Sequence, residues 1–225
     1  MNKDKAVILL SGGLDSLVAL AYVQAREPYN VELALTFDYG QKALKNEIES
    51  TEKICEFYNI QHKIIKLDWL KDITKTSLVS DKEIPKSGFS TKESAASVWI
   101  PNRNALFLNI AACYCDSFGY NYIVYGANKE EGANFPDNTE TFRKEITALF
   151  KTSTLVGPKV TAPLINYTKD DIVKIGAELS VPFDLVWSCY ISGDKHCGEC
   201  ESCSYLKKAL IANHLESYKD KLFKK

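Results

Sequence analysis

The sequence predicts an α/β fold with a doubly wound, mostly parallel five-stranded sheet of the Rossmann-like kind. Apolar runs typical of buried strands alternate with segments whose apolar residues recur at helical spacing. Such alternation implies right-handed crossovers between parallel strands. A turn with two glycines also follows the first apolar run directly, and ligands bind at the carboxyl ends of strands in such sheets.

The predicted elements follow in chain order from this alternation. Strands are expected over residues 6–10, 31–37, 63–67, 121–126 and 160–165. A buried helix over 17–21, a surface helix over 44–58 and a helix that is apolar nearly all round over 104–118 connect them. Two further helices carry the apolar residues Phe142, Ile146 and Leu149, and Ile172, Ile175 and Leu179.

Residues 68–99 are weakly periodic and rich in Ser, Thr, Lys and Glu. A structureless loop of that length is most often a mobile lid or a disordered segment. A pair of short helices is the alternative, and the sequence leaves both open.

The composition is that of a globular protein. The chain has 225 residues, of which 45% are hydrophobic and 25% charged, and we expect a single domain over 1–225 with a small C-terminal segment, 187–225, packed on it. The net charge of −1 argues against a general nucleic-acid surface. Residues 1–5 do not resemble a signal peptide and no apolar run is long enough to span a bilayer, so a cytoplasmic protein without membrane contact is expected.

The turn at residues 11–16 has the chemistry of a phosphate site. Glycines let the backbone approach an anion, and the first amides of a helix lack internal partners. Asp15 would repel a bare phosphate, which suggests a bridging Mg²⁺. An ordinary strand-to-helix turn is the alternative. The nucleotide-binding residues expected here are Ser11, Gly12, Gly13, Leu14, Asp15 and Ser16.

Four of the seven cysteines fall in one short stretch with the spacing C-x7-C-x2-C-x2-C. Four close thiolates suit a closed tetrahedral zinc site, and an iron–sulfur cluster is the main competitor. The neighbouring His196 is expected not to be a ligand, and Cys55, Cys113 and Cys115 are expected to be buried in helices. The predicted zinc ligands are Cys189, Cys197, Cys200 and Cys203.

Five further polar residues are candidates for the same site. Asp38 follows the second strand and either contacts a nucleoside or caps a helix. Arg103 opens a helix, where a cation opposes the dipole unless an anion lies nearby, so it is expected to bind a phosphate or carboxylate. Asn128 and Asp137 lie after the fourth strand and could contact a second substrate, while Lys169 could reach a phosphate.

These segments together resemble a known family. The loop at 11–16 resembles the SGGxDS loop of the ATP pyrophosphatases, and it lacks the lysine of the GxxxxGK[ST] loop. Most of the chain resembles the 7-cyano-7-deazaguanine synthases (QueC) of that class, which have an adenine nucleotide alpha hydrolase-like fold. The matching strings are Ser-Gly-Gly-Leu-Asp-Ser at 11–16, Leu-Thr-Phe-Asp-Tyr-Gly-Gln at 35–41, Pro-Asn-Arg-Asn-Ala-Leu-Phe at 101–107, Thr-Ala-Pro-Leu-Ile at 161–165, Thr-Lys at 168–169 and Trp-Ser-Cys-Tyr at 187–190, with the later cysteines.

The resemblance implies an ATP-dependent carbon–nitrogen ligase in queuosine or archaeosine precursor biosynthesis. It implies 7-carboxy-7-deazaguanine, ammonia and ATP as substrates, and the nitrile, AMP and pyrophosphate as products. It also implies Mg²⁺, a zinc held by four cysteines, and a homodimer. We assign catalytic roles to Asp15, Ser16, Arg103 and Lys169, and substrate contacts to Asp137, Asn128 and Arg103.

The sequence departs from the family pattern on the acceptor side. Asn102 replaces a glycine, and Asn138 and Thr139 replace a cysteine and an arginine. A divergent member that joins an adenylated deazaguanine carboxylate to another amine, such as a protein terminus, is therefore an alternative. A second is an adenylating enzyme that modifies an RNA base, and a third is a non-catalytic nucleotide-binding module.

Overall fold

The computed structural model describes residues 3–86 and 91–224 and has a five-stranded sheet with helices on both faces. The strands follow the order β3-β2-β1-β4-β5 and every neighbouring pair is parallel. This confirms the predicted fold class. The strands are β1 (Asp4–Leu9), β2 (Tyr29–Asp38), β3 (Gln61–Lys66), β4 (Tyr122–Val124) and β5 (Lys159–Thr161).

Helices cover the two faces of the sheet because successive strand residues point to opposite sides. Ile8 of β1 packs with one apolar layer and Val7 with the other. The helices are α1 (Leu14–Arg26), α2 (Leu44–Tyr58), α3 (Thr91–Val98), α4 (Arg103–Phe118), α5 (Lys129–Gly132), α6 (Glu140–Ser153), α7 (Lys169–Glu178), α8 (Glu201–Ala212) and α9 (Glu216–Leu222), with 3-10 turns at Asp68–Lys71, Pro136–Asn138 and Phe183–Leu185.

The order of the strands creates a crevice beside β1. From β1 the chain builds outward through β2 and β3 on one side, and later through β4 and β5 on the other. Connections that leave β1 and β4 therefore diverge to opposite faces, which opens a cleft at their carboxyl ends. The loop at 11–16 lies at this point, between β1 and α1.

Two predicted elements differ from the structure. The strand expected over 160–165 ends at Thr161, and a turn follows in which the Ile165 amide donates to the Ala162 carbonyl. Pro163 has no N–H to continue a ladder, which explains the early end. Helix α4 was expected to be apolar and buried nearly all round, but it buries one face only, and Cys113 is exposed.

The stretch at 68–99 contains two short helical elements in its described part, the 3-10 turn at Asp68–Lys71 and helix α3. Leu70 and Leu78 are buried against the α4 side of the sheet. The described residues thus favour the pair of short helices over a lid, and residues 87–90 lie outside them. No helix in the described part of the chain is both long and apolar enough to cross a membrane.

Asn102 precedes α4 in the left-handed conformation, with φ 55° and ψ 25°. Asparagine tolerates this region better than other side chains, which explains how it replaces a glycine. We expect Asn102→Gly to keep the free energy of unfolding within about 0.5 kcal/mol and Asn102→Val to lower it by about 1–2 kcal/mol. Urea unfolding of the three proteins measures this, and equal stability of the valine variant would contradict it.

Candidate functional site

The loop at 11–16 needs glycine at position 12 for two reasons. Gly12 has φ +78°, which side chains disfavour, and a methyl group there would lie 2.7 Å from Ser50 Oγ. The Ser50 hydroxyl in turn donates to the Gly12 carbonyl at 3.1 Å. Helix α2 therefore packs directly behind the loop and holds its backbone in place.

Gly126, just after β4, brings the second side of the cleft against the loop. A methyl group on Gly126 would lie 2.7 Å from the Ser16 amide nitrogen and 2.9 Å from the Asp15 carbonyl carbon. Only a glycine lets the chain pass so close to the first turn of α1. The sequence analysis placed this glycine at a strand end but did not identify this contact.

Hydroxyl groups contact the amides of the loop. The Ser11 amide donates to Ser16 Oγ, the Gly13 amide to Ser11 Oγ and the Leu14 amide to Ser188 Oγ, each at 3.3 Å. Helix α1 has no side-chain cap at Gly13. Each of these amides can thus exchange a neutral hydroxyl for an anionic oxygen, as an anion site at a helix N-terminus requires.

Asp15 and Lys169 form a buried ion pair beside the loop, and Lys169 Nζ also lies 3.2 Å from Glu131 Oε1. Burial raises the pKa of Asp15 above its usual range, and the opposing charge of Lys169 limits this rise. Burial alone would lower the pKa of Lys169, but Asp15 and Glu131 raise it. Lys169 is therefore a fixed cation at the N-terminus of α7.

Arg103 lies across the cleft from this pair. Its guanidinium donates to the Tyr39 hydroxyl at 3.4 Å and lies 5.9 Å from the Tyr39 ring centroid and 6.0 Å from that of Phe107. It forms no ion pair with any side chain that the structure describes. Arg103 is thus a cation that lines the cavity without a carboxylate partner among the described residues.

A cavity of about 310 Å³ joins these groups at the carboxyl ends of β1, β2 and β4. Two cations, Arg103 and Lys169, face a larger number of acids. Such a cavity would repel a triphosphate unless a divalent cation entered with it. The acids that line it are Asp15, Glu47, Glu130, Glu131, Asp137 and Glu201.

Most of the predicted site residues lie around this cavity, including Ser11, Gly13, Leu14 and Ser16. Asp137 is 7% exposed and accepts from the Asn138 side chain at 3.0 Å. Burial raises the pKa of its carboxyl, with Arg103 acting against this. Asp137 is thus placed to accept hydrogen bonds from a ligand.

Three predicted contact residues, Gly12, Asp38 and Asn128, do not line the cavity, and Gly12 instead shapes the backbone of the loop. Asp38 Oδ1 accepts from the Gly40 amide at 3.1 Å, in the turn after β2, and this residue lies outside the cavity lining. Asn128 is fully buried and caps α5, where its Oδ1 accepts from the Glu131 amide at 3.0 Å. Local backbone hydrogen bonds, which both residue types form readily, explain both positions.

Glu47 is a cavity residue that the sequence analysis missed. It lies in the first turn of α2, accepts from Gln41 Nε2 at 2.7 Å, and burial raises its pKa to about 7. The only sequence signal was an acid shortly after the Phe-Asp-Tyr-Gly-Gln string. Glu130 and Glu131, Trp99 and Ser188 were also missed as lining residues.

The raised pKa of Glu47 predicts a pH-dependent stability. A carboxyl that holds its proton more tightly when folded stabilises the protein at low pH, and this contribution is lost as pH rises from about 4.5 to about 7. We expect the free energy of unfolding of Glu47→Gln, measured by urea titration, to exceed that of the parent by about 2 kcal/mol at pH 8. At pH 4.5 we expect no such gain. Glu49→Gln, on the exposed face of α2, is the control. An equal gain at both pH values would contradict the assignment.

The four clustered cysteines converge as predicted. Their sulfur atoms all lie within 4.8 Å of one another, and Cys197 Sγ lies 3.8 Å from Cys203 Sγ. A tetrahedral zinc with bonds of about 2.3 Å separates its thiolates by about 3.8 Å. The cluster therefore has the dimensions of a single-ion site, and a four-iron cluster would need its thiolates further apart.

His196 is not part of this cluster. Its Nε2 accepts from the Ser188 amide at 3.0 Å, so Nδ1 carries the proton and donates to the Leu222 carbonyl at 3.0 Å. Its ring also stacks on Trp187. The segment before Cys189 thus lies against the loop, where the Trp187 amide donates to the Gly12 carbonyl at 2.8 Å. It forms one wall of the cavity.

Solved structures share the fold at low sequence identity. The U34-tRNA thiolase NcsA from Methanococcus maripaludis, solved with its 4Fe-4S cluster, matches 96% of this chain and 67% of its own with a TM-score of 0.51 at 18% identity. NMN synthetase from Francisella tularensis matches 94% of this chain and 78% of its own with a TM-score of 0.50 at 16% identity. These matches support the fold alone.

Sequence comparisons are more specific. The model of the family described as "Queuosine biosynthesis protein QueC" matches residues 5–214. Relatives named 7-cyano-7-deazaguanine synthase are 48% identical in Carboxydothermus hydrogenoformans, over 93% of this chain and 100% of the relative, and 42% identical in Bdellovibrio bacteriovorus, over 96% and 97%. A relative of the same name in Methanosarcina mazei is 47% identical, over 88% and 90%. The chain therefore belongs to the QueC family.

Proposed function

We propose that the protein converts 7-carboxy-7-deazaguanine and ammonia into 7-cyano-7-deazaguanine, and that two ATP are cleaved to AMP and pyrophosphate. The observation that carries the proposal is the match, along nearly the whole chain, to relatives named for this product. The loop at the cleft supports ATP as the activating substrate. The enzyme would be a nitrile-forming carbon–nitrogen ligase.

The chemistry needs two activations because oxide and hydroxide are poor leaving groups. A substrate carboxylate oxygen attacks the α-phosphorus of ATP, and the bond to the bridging oxygen breaks with release of pyrophosphate. Ammonia attacks the acyl carbon, AMP leaves and a proton is lost, which gives the amide. The amide oxygen then attacks the α-phosphorus of a second ATP with release of pyrophosphate, and loss of AMP and of two protons from nitrogen leaves the nitrile.

The loop and Lys169 would bind the departing pyrophosphate. Gly13, Leu14 and Ser16 line the cavity, and the Gly13 and Leu14 amides would exchange their weak hydroxyl partners for pyrophosphate oxygens, acting by preorganised electrostatics. Asp15 and Glu131 would hold Mg²⁺, since Asp15 Oδ1 is buried and without a hydrogen-bond partner in the described residues. The ion would neutralise charge on the leaving group.

Arg103 and Asp137 would bind the acceptor. Arg103 suits the substrate carboxylate or the α-phosphate because it forms no ion pair with a described side chain and lies within 6.0 Å of the Tyr39 and Phe107 ring centroids. The Asp137 carboxylate would accept from the N–H donors of the deazaguanine ring. Trp99 and Phe135, stacked with ring centroids 5.8 Å apart, line the cavity beside Asp137 and offer an aromatic surface to the base.

The metal of the cysteine cluster would be Zn²⁺ in a structural role. The sulfur spacing fits one tetrahedral ion, and four thiolates leave no open coordination position. The expected homodimer, the cytoplasmic location and the organisation as one domain with a zinc-binding segment over 187–225 remain parts of this proposal.

One reaction mixture tests the proposal. The protein with ATP, Mg²⁺, ammonium and 7-carboxy-7-deazaguanine should yield the nitrile, AMP and pyrophosphate. Accumulation of an amide or a conjugate without nitrile would favour the divergent alternative. AMP release that requires RNA would favour the RNA-modifying enzyme, and ATP binding without turnover would favour the module.

A further inference from the structure

We infer that the hydroxyl of Ser188 is part of the pyrophosphate site and binds a phosphate oxygen together with the loop at 11–16. The inference rests on the proposed function in one respect, that the polyphosphate of ATP occupies this loop. Ser188 is 174 residues from its loop partner in sequence and lies in the segment that leads to the cysteine cluster.

The contact itself is with an amide of the anion site. The Leu14 amide, in the first turn of α1, donates to Ser188 Oγ at 3.3 Å. Such an amide has no partner within the helix and is one of the groups that binds an anion. Ser188 also lines the cavity, so its hydroxyl lies at the boundary between the loop and the ligand space.

Ser188 completes a set of hydroxyls around the loop. Ser11 Oγ accepts from the Gly13 amide and Ser16 Oγ accepts from the Ser11 amide, also at 3.3 Å. These distances exceed the usual value of about 2.9–3.0 Å, so the hydrogen bonds that the amides donate are weak. When a phosphate oxygen accepts the hydrogen bond of such an amide, the displaced hydroxyl can rotate and donate to the same anion.

The backbone that leads into Ser188 is held by two hydrogen bonds, so its hydroxyl can rotate while the main chain stays in place. The Ser188 amide donates to His196 Nε2 at 3.0 Å, and the preceding Trp187 amide donates to the Gly12 carbonyl at 2.8 Å. The Trp187 Nε1 atom is buried without a hydrogen-bond partner among the described residues, and Trp187 lines the cavity.

This arrangement gives the cysteine cluster a role in nucleotide binding. Cys189 follows Ser188 directly, so the fold of the metal segment positions the hydroxyl at the loop. The anion site thus includes a group from each end of the chain. Loss of the hydroxyl should weaken the binding of the polyphosphate end of the nucleotide and leave the binding of the nucleoside end unchanged.

Binding of inorganic pyrophosphate with Mg²⁺, measured by isothermal titration calorimetry, tests this directly. We expect Ser188→Ala to bind pyrophosphate about 10-fold more weakly, which is the effect of losing one hydrogen bond to a charged group. AMP affinity and bound-metal content should not change. Ser188→Thr should restore pyrophosphate binding, and Ser192→Ala, at an exposed position of the same segment, should behave like the parent.

Ser188→Val compared with Ser188→Thr repeats the test at constant shape, since the two side chains differ by the hydroxyl alone. Equal pyrophosphate affinity of the valine and threonine proteins, or an equal loss of AMP and pyrophosphate affinity, would overturn the inference. The measurement needs no deazaguanine. A failure of nitrile synthesis in the parent would therefore contradict the proposed function. The effect of Ser188 on pyrophosphate binding would still be tested independently.

Discussion

Cys200→Ser is expected to lose the bound metal and with it the folded C-terminal segment. Serine is a poor zinc ligand, and the remaining three thiolates would be left buried without the charge that compensates them. Binding of a structural zinc contributes on the order of 10 kcal/mol, which exceeds the net stability of many domains. Cys200 and Cys203 also pack in the same apolar layer as α1. The expected result is therefore a metal-free and poorly soluble protein.

Metal content by mass spectrometry and limited proteolysis of residues after 187 measure this effect. Cys113→Ser is the matched control because Cys113 is exposed on α4 and lies outside the cluster. It should keep both metal and solubility. A Cys200→Ser protein that is soluble, metal-free and fully active would show that the cluster is not structural.

Asp15→Asn is expected to leave the fold intact and to lower the rate of pyrophosphate release by about 100- to 1,000-fold. The substitution keeps the shape of the side chain but removes the charge that would hold Mg²⁺. Lys169 retains Glu131 as a carboxylate partner at 3.2 Å, so the buried cation is not left alone. The loss should therefore appear in turnover far more than in stability.

Single-turnover release of pyrophosphate and the midpoint of thermal unfolding separate the two effects. Asp38→Asn is the control, because Asp38 binds the Gly40 amide and does not line the cavity. Its turnover should equal that of the parent. Unchanged pyrophosphate release by Asp15→Asn would rule out a role for this carboxylate in metal binding.

The parts of the site that could be predicted from the sequence are those whose residues are close together in the chain. The loop at 11–16 follows a strand and begins a helix, so its conformation follows from neighbouring residues. The cysteine cluster is likewise local, with three of its members inside seven residues. The sheet was predictable because buried parallel strands are continuous apolar runs.

Contacts between distant segments could not be predicted in this way. Lys169 was assigned a catalytic role near a phosphate, but its ion pair with Asp15, 154 residues away, was not predicted. Asn128 and Asp38 do not line the cavity because their side chains bind nearby backbone amides, which the sequence pattern did not indicate. Glu47 gave little signal, since an acid in the first turn of a helix is an ordinary feature.

The fate of the carboxylate oxygens tests the central claim most directly. With 7-carboxy-7-deazaguanine labelled with ¹⁸O at both carboxylate oxygens, each activation should transfer one labelled oxygen to the α-phosphate of the nucleotide. Mass spectrometry should therefore find two singly labelled AMP for each nitrile formed, and unlabelled pyrophosphate. Label in ADP, orthophosphate or water, with AMP unlabelled, would contradict adenylation of the substrate.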